Sequence, residues 1–249
     1  MPGETLVSPR WHDPRGLDAA LDASSDAAWA AGLRVLQGIR LGATDEVHVA
    51  ALVDMMDPPP SRSDPSRRAG SPEGDPEGAH LLDIGCGFGE VARLARGIWP
   101  DLRFTLLNRV AAQLRRAPRG RGFRRVRGDA HALPLADATF DGALLLYTLC
   151  HLDVPRALAE AHRVVRPGGF LFVLDYEALD GPLASAELFS AWHPRERLME
   201  WAESAGWRRQ TMRDPGGDDA TFRALFASDE AYEGIFGTLR PLAWRAVRE

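Results

Sequence analysis

The decapeptide LLDIGCGFGE, Leu81 to Glu90, sets Gly85, Gly87 and Gly89 at every second position behind an apolar run that carries Asp83. Glycine has no Cβ, so such a loop takes up positive φ and lets a ligand press against the main chain. A helical spacing begins directly after it, and a helix N-terminus presents free N–H groups and a partial positive charge. The chemistry specified here is the holding of a polar or anionic group on backbone. A dinucleotide fingerprint would need glycine three residues beyond Gly87, where Glu90 stands with a carboxylate that repels a pyrophosphate. Side chains able to move or hold protons recur later: Asp129 in RGDAHALP, His151 in YTLCHL and Asp175 in FVLDY, while His131, two residues past Asp129, reads as a loop residue. A lone histidine is more often structural, and spacing alone does not make His151 a base. No set of cysteines and histidines has metal-ligand spacing, so no metal is expected.

The elements that must position these residues follow an alternating pattern. AHLLDI, RFTLLN, FRRVRGD, FDGALLLYTL and FLFVLDY read as strands, separated by the helical stretches GEVARLARGIW, VAAQLRRA and VPRALAEAHRVV, the last stopped by Pro167-Gly168-Gly169. A further helix is expected from Pro194 to Ala205, then strands WRRQTMR and LAWRAV. Alternation of this kind implies parallel strands with crossover helices, an α/β doubly wound sheet of seven mostly parallel strands. The unbroken apolar run GALLLYTL suits a strand buried on both faces. In such a sheet ligands sit at the carboxyl ends of the strands where strand order reverses, which is where the glycine loop would lie.

Ahead of this pattern, residues 17–41 and 44–56 read as amphipathic helices, and DPPPSRSDPSRRAGSPEGDPEG as a proline- and glycine-rich linker. The expected organisation is an N-terminal helical lid over residues 1–57, a flexible linker over 58–78 and the ligand-binding domain over 79–249. Of the 249 residues 45% are hydrophobic and 26% charged, with a net charge of −5, which fits a soluble globular protein and argues against a nucleic-acid partner. Arg115, Arg116, Arg119, Arg121, Arg124, Arg125 and Arg127 form one basic cluster, read as a solvated face. No apolar run has signal-peptide or membrane-span length, so the chain is expected in the cytoplasm, without membrane association. Two cysteines, Cys86 and Cys150, are too few for a disulfide framework and are expected reduced. Nothing fixes the oligomeric state, and a homodimer stays open.

LLDIGCGFGE resembles the first motif of class I S-adenosylmethionine-dependent methyltransferases. The segment RGDAHALPLADATFDGALLLYTLCHLDVPRALAEAHRVVRPGGFLFVLDY is similar to that family's later motifs, so the resemblance covers Ala79 to Tyr176 in order and spacing. It implies a Rossmann-like fold with S-adenosylmethionine as cofactor and S-adenosylhomocysteine as product. Asp83, Gly85, Cys86, Gly87 and Gly89 would meet the methionine part of the cofactor, and Asp129 with Ala130 would flank the adenine. At the end of the second strand the family places an acid against both ribose hydroxyls, whereas here Asn108 stands, in TLLNRVAAQL. That segment resembles a variant found among small-molecule methyltransferases, which implies that Asn108, Arg109 and Gln113 serve the cofactor, without a charge-assisted bond.

A sulfonium methyl is already activated, so the protein has to align a nucleophile, exclude water and take a proton where the acceptor carries one. By the same resemblance His151 stands where related natural-product enzymes carry a base, and Asp175 either orients His151 or polarises the substrate. Tyr147 lines the cofactor or meets the substrate, though an aromatic in an apolar strand also fits a core. Cys150 reads as a small filler. Trp11, Trp29, Met55, Met56 and Trp192 would offer apolar contacts to the acceptor from the lid. The implied activity is methyl transfer to O, N or C of a small molecule, a secondary metabolite by its branch. The alternative is a fold that keeps the cofactor but promotes a cyclisation or elimination, or acts as a binding subunit. An oxidoreductase is disfavoured by Glu90 and Asn108.

Overall fold

The computed structural model describes residues 78–185, 190–213, 233–234 and 237–249. The expected lid over 1–57, with Trp11, Trp29, Met55 and Met56, and all of the linker except Gly78 lie outside the described residues.

Every segment read as a strand contains one. β1 (His80–Ile84), β2 (Arg103–Asn108), β3 (Phe123–Arg127), β4 (Phe140–Leu146) and β5 (Val165–Ala178) pair in parallel, while β8 (Trp207–Arg213) and β9 (Leu239–Arg248) complete a seven-stranded sheet in the order β3-β2-β1-β4-β5-β9-β8. β9 runs antiparallel to both β5 and β8. A small antiparallel hairpin of β6 (Leu183–Ser185) and β7 (Ser190–Trp192) follows β5 and was not foreseen. The helices are α1 (Glu90–Ile98), α2 (Ala111–Arg116), α3 (Val154–Val164) and α4 (Arg195–Ser204).

Two clusters of buried side chains flank the sheet, and strand alternation assigns them. Leu82, Ile84, Ala143, Leu145, Leu171, Val173 and Trp244 pack with Leu158 and Ala161 of α3 and Leu198 and Ala202 of α4. Their neighbours Leu81, Leu144, Phe172, Leu174 and Ala243 pack with Ala92 and Ala95 of α1 and Leu114 of α2. Burial on both faces explains why β4 reads as a continuous apolar run, since neither set of alternate residues is left for water. The chain steps from β3 back across β1 to β4, so strand order reverses at β1. The crevice opened there at the carboxyl ends of β1 and β4 is the ligand position such sheets provide.

Two boundaries differ from the sequence reading. α3 stops at Val164, and Pro167, Gly168 and Gly169 lie within β5, which begins directly at Val165. Proline pushes the residue before it towards extended backbone, so the chain leaves the helix early. The register between β4 and β5 then shifts from Phe140↔Val165 to Gly142↔Phe170, which sets the extra residues out as a bulge. β4 ends at Leu146, not Leu149: Tyr147 has φ 48°, and Leu149–His151 form a 3-10 turn. That turn takes Cys150 and His151 out of the line of the strand.

Candidate functional site

The glycine loop is tied to the end of β2. The amides of Gly85 and Cys86 both donate to the carbonyl of Leu107, at 2.9 and 3.0 Å. Gly85 has φ 74°, and a Cβ there would fall 2.3 Å from Thr148 Cγ2; Gly89, the cap of α1, has φ 71° and a Cβ would meet Pro118 Cδ at 2.8 Å. Both positions therefore need glycine for backbone sign and for space. Cys86 is buried, its Sγ 3.6 Å from the Gly87 carbonyl. Glu90 pairs with Arg93 one turn along α1, which draws its carboxylate along the helix.

Asp83, 3% exposed, sits near the end of β1 level with Leu106 of β2 and Leu144 of β4. Asn108 closes β2 and is 7% exposed. Its Nδ2 donates to Gly87 O at 3.3 Å and to Gln113 Oε1 at 2.9 Å, while its Oδ1 accepts the amide of Val110 at 3.0 Å. The side chain thus joins the glycine loop to the start of α2, and its two donors are used within the protein. Arg109 is exposed, and its carbonyl accepts from Arg127 Nε at 3.3 Å.

At the end of β3, Asp129 is exposed and Ala130 buried. Burial of its surroundings raises the Asp129 carboxyl, but the His131 amide and ring and the nearby Arg109 outweigh this and leave it below the ordinary carboxylate value. His131, which reads in sequence as a plain loop residue, has Nδ1 2.7 Å from Asp129 Oδ1, and its Nε2 accepts the amide of Asp153 at 2.9 Å. It fastens this loop to the cap of α3, where the Asp153 side chain receives the Arg156 amide at 3.2 Å.

On the other side, Asp175 is 4% exposed and lies three residues before the end of β5, which runs past the expected FLFVLDY to Ala178. Pairing of Asp175 with Leu242 of β9 prolongs the strand past β4. Its Oδ2 accepts the Cys150 amide at 3.0 Å and its Oδ1 the Tyr176 amide at 2.8 Å. Burial raises its pKa, only partly offset by these two donors and by His151. His151 is exposed, with Nδ1 3.0 Å from Ser190 Oγ of β7. The Cys150 thiol is pushed well above its ordinary value, first by burial and then by Asp175 beside it. Tyr147 packs on Tyr176 with ring centroids 5.8 Å apart, and burial followed by Tyr176 and Asp175 raises its phenol. Trp192 is buried in β7 opposite Leu183, and His193 stacks edge-on against Trp201 of α4.

The structure therefore places the named residues in two groups at the carboxyl ends of the strands: Asp83, the glycine loop, Asn108, Gln113, Asp129 and Ala130 on the β1-β2-β3 side, and Tyr147, His151 and Asp175 on the β4-β5 side. Sequence reasoning missed Ser190, the contacts of the Cys150 thiol and the His131 link. Only the adjacency of Cys150 to His151 pointed that way; Ser190 lies in a hairpin with no local signature. Among the described residues no group of three or more His, Cys, Asp or Glu could hold a metal ion, and no helix is long and apolar enough to cross a membrane.

Residues 82–173 match the methyltransferase domain family model. The chain is 32% identical over 171 residues to the demethylmenaquinone methyltransferase of Thermobifida fusca (strain YX), covering 55% of this chain and 72% of that protein. The chain belongs to the class I S-adenosylmethionine-dependent methyltransferases. It is also 37% identical over 115 residues to the ubiquinone/menaquinone biosynthesis C-methyltransferase UbiE of Paracoccus denitrificans (strain Pd 1222), covering 43% of this chain and 46% of the relative. The chain spans about half the length of most such curated relatives. In structure it is similar to a geranyl diphosphate methyltransferase solved in complex with SAM, with TM-score 0.67, 18% identity and coverage of 93% and 94% of the two chains. That similarity shows the methyltransferase fold.

Within this methyltransferase, the residues fit the family's cofactor. The crevice has bare glycine backbone beside a helix N-terminus, a buried carboxylate at Asp83 suited to an ammonium, and an amide pair at Asn108 and Gln113. Because Asn108 spends both N–H bonds internally, the remaining donor of the pair is Gln113 Nε2, and Asn108 Oδ1 keeps one lone pair to accept.

Proposed function

We propose that this protein binds S-adenosylmethionine along the β1-β2-β3 side of the crevice and transfers its methyl group to O, N or C of a small-molecule acceptor held on the β4-β5 side, releasing S-adenosylhomocysteine. The observation that carries the reading is the joining of the glycine loop to Asn108 and Gln113 at the strand-order switch, in a chain of this family. Relatives named as quinone C-methyltransferases, and one named as an O-methyltransferase, support a small organic acceptor. A secondary metabolite is the class we favour, bound within a domain spanning 79–249 under an N-terminal lid over 1–57, with 58–78 as linker.

The cofactor supplies a methyl group on a sulfonium, an electrophile that needs no further activation. The protein contributes position and charge. Asp83 holds the ammonium end, the glycine loop sets the depth at which the ligand lies, and Asp129 with Ala130 receives the base. His151, exposed at the mouth of the crevice, takes the proton that the acceptor loses as its new bond forms. Asp175, buried and ionisable behind it, stabilises the imidazolium through space. Burial of the β4-β5 side excludes the water that would otherwise compete as nucleophile.

Calorimetric titration of S-adenosylmethionine and S-adenosylhomocysteine into the protein tests the cofactor step. Micromolar binding of both is expected, followed by S-adenosylhomocysteine release in a panel of phenol, quinol and amine acceptors. Absence of binding by either ligand overturns the reading. Binding without turnover on any acceptor moves the protein to the group that keeps the cofactor for a non-methylating reaction.

A further inference from the structure

We infer that His131 is a positioning residue for base recognition: its ring holds one oxygen of the Asp129 carboxylate, leaves Oδ2 to accept the amino group of adenine, and ties that acid to the cap of α3. This rests on the reading of the crevice as a cofactor site with Asp129 at the base. The His131 amide and ring Nδ1 lie 2.9 and 2.7 Å from the same oxygen, Asp129 Oδ1. On the far side of the ring, Nε2 accepts the Asp153 amide at 2.9 Å. Among the described residues Asp129 Oδ2 has no hydrogen-bond partner. The Asp129 side chain is 49% exposed and that of His131 20%, so the acid faces outward while the ring behind it is mostly covered.

The hydrogens follow from one backbone donor. The Asp153 N–H can only donate, so Nε2 carries a lone pair and the neutral ring keeps its hydrogen on Nδ1. The tautomer of a histidine is set in this way by the bond its other nitrogen makes. The Nδ1 hydrogen goes to Asp129 Oδ1, which takes the His131 amide as well. Two donors on one oxygen fix the rotation of the carboxylate. The other oxygen, an acceptor only, attracts the exocyclic amine of adenine and repels the carbonyl oxygen that hypoxanthine carries at the same place.

The rest of the loop is fastened to the same helix. The Leu133 amide donates to Glu160 Oε2 at 2.7 Å, and Arg163 donates to the carbonyls of Leu133 and Leu135 at 3.0 and 2.9 Å. The Asp129 carbonyl accepts the Ala132 amide at 3.2 Å, closing the turn between them. Asp129 is thus placed against α3 as well as against the sheet, and the His131 ring is the piece that spans from its carboxylate to Asp153. A loop held at Leu133 and Leu135 alone would keep its path yet leave the carboxylate free to turn.

Calorimetric titration compares S-adenosylhomocysteine with its deaminated form, in which hypoxanthine replaces adenine. The wild type is expected to favour the adenine form by roughly 10-fold or more. In His131→Ala that preference should shrink by about 5-fold, through weaker binding of the adenine form, whereas a role in loop stability alone would weaken both ligands equally. Asp129→Asn should favour the hypoxanthine form, because Oδ1 stays with the His131 ring and Nδ2 is left to face the base. Adding His131→Ala to it frees the amide to turn, and the reversed preference should disappear. Two-bond 1H–15N spectra of histidine-labelled protein, with the His131 signal assigned by its loss in His131→Ala, should show the ring protonated at Nδ1 before any ligand is added. A ring protonated at Nε2, or a base preference unchanged in His131→Ala, overturns the proposal. Binding of neither ligand removes the cofactor reading and the base-recognition role together, while the tautomer, read without ligand, still shows whether the ring holds Asp129.

Discussion

Asn108 Nδ2 donates to the Gly87 carbonyl at 3.3 Å, bridging from the end of β2 to the middle of the glycine loop 21 residues earlier. The same nitrogen reaches Gln113 at 2.9 Å, and the oxygen on the other arm takes the Val110 amide. An aspartate in this place accepts only, so it would lose both donations and set a carboxylate against a carbonyl and an amide oxygen. The departure of Asn108 from the family's acidic residue is therefore matched by its neighbours, Gln113 above all.

Asn108→Asp is accordingly expected to destabilise the protein, although it restores the acid common in the family. Two buried donor contacts become acceptor-acceptor contacts, a cost of about 1–3 kcal/mol. For a chain of this size that lowers Tm by roughly 2–10 °C. Differential scanning calorimetry checks it, and a Tm equal to wild type would show that the Nδ2 contacts contribute nothing.

The fold and half the site were legible because their signals are local. The apolar runs of β1, β2, β4 and β5, most of them separated by helical spacing, specify the centre of the sheet because both of its faces are buried there. The loop glycines and Asn108 sit at strand ends that the same pattern locates. The end of β4 at Leu146 was hidden because the φ of 48° that follows it falls on Tyr147, neither a glycine nor a proline that sequence would flag. The amide of Tyr147 is bonded to Leu174 O at 2.7 Å, across the sheet, which ends β4 while the apolar run continues. Ser190 and His131 were missed for a related reason: each acts on a residue 39 or 22 positions away, and neither local sequence carries the partner.

Gly85→Ala tests the backbone requirement of the loop. The native φ of 74° costs a residue with a Cβ about 1–2 kcal/mol, and the added methyl would overlap Thr148 at 2.3 Å. Urea denaturation should show a loss larger than the backbone term alone. Thr148→Gly in the same chain should recover the steric part and leave the φ part, so a double variant as unstable as Gly85→Ala would refute the overlap.

His131→Ala removes the link between the β3-β4 loop and the cap of α3. The Asp153 amide loses its acceptor and Asp129 loses the ring at 2.7 Å. Hydrogen exchange at Asp153 and around Ala130 should quicken by about 5-fold or more, with the global midpoint lowered by only about 1 kcal/mol. Unchanged protection at both places would show that the ring does not hold the loop.

Glu160 and Asp175 should give the pH dependence of stability opposite signs. Hydrogen bonding from Arg163 leads the causes that hold Glu160 below its ordinary 4.5, with the Leu133 amide at 2.7 Å adding to it against a burial penalty. The folded state then binds fewer protons than the unfolded chain near that value, so the contribution is complete above about 4.5 and is lost as pH falls through the lower folded value. Glu160→Gln should therefore be less stable than wild type at neutral pH, by about 1–2 kcal/mol, with the gap closing in acid. Asp175 is raised above 3.8, chiefly by burial. Its folded form keeps the proton longer, so wild-type stability falls as pH rises from about 3.8 to the raised value. Asp175→Asn lacks that decline, and its stability relative to wild type should improve as pH rises through the same window, whatever fixed offset the lost acceptor introduces. Chemical denaturation at a series of pH values from 3 to 7 measures both slopes. A flat difference for Asp175→Asn would show that its carboxyl is not held towards the neutral form.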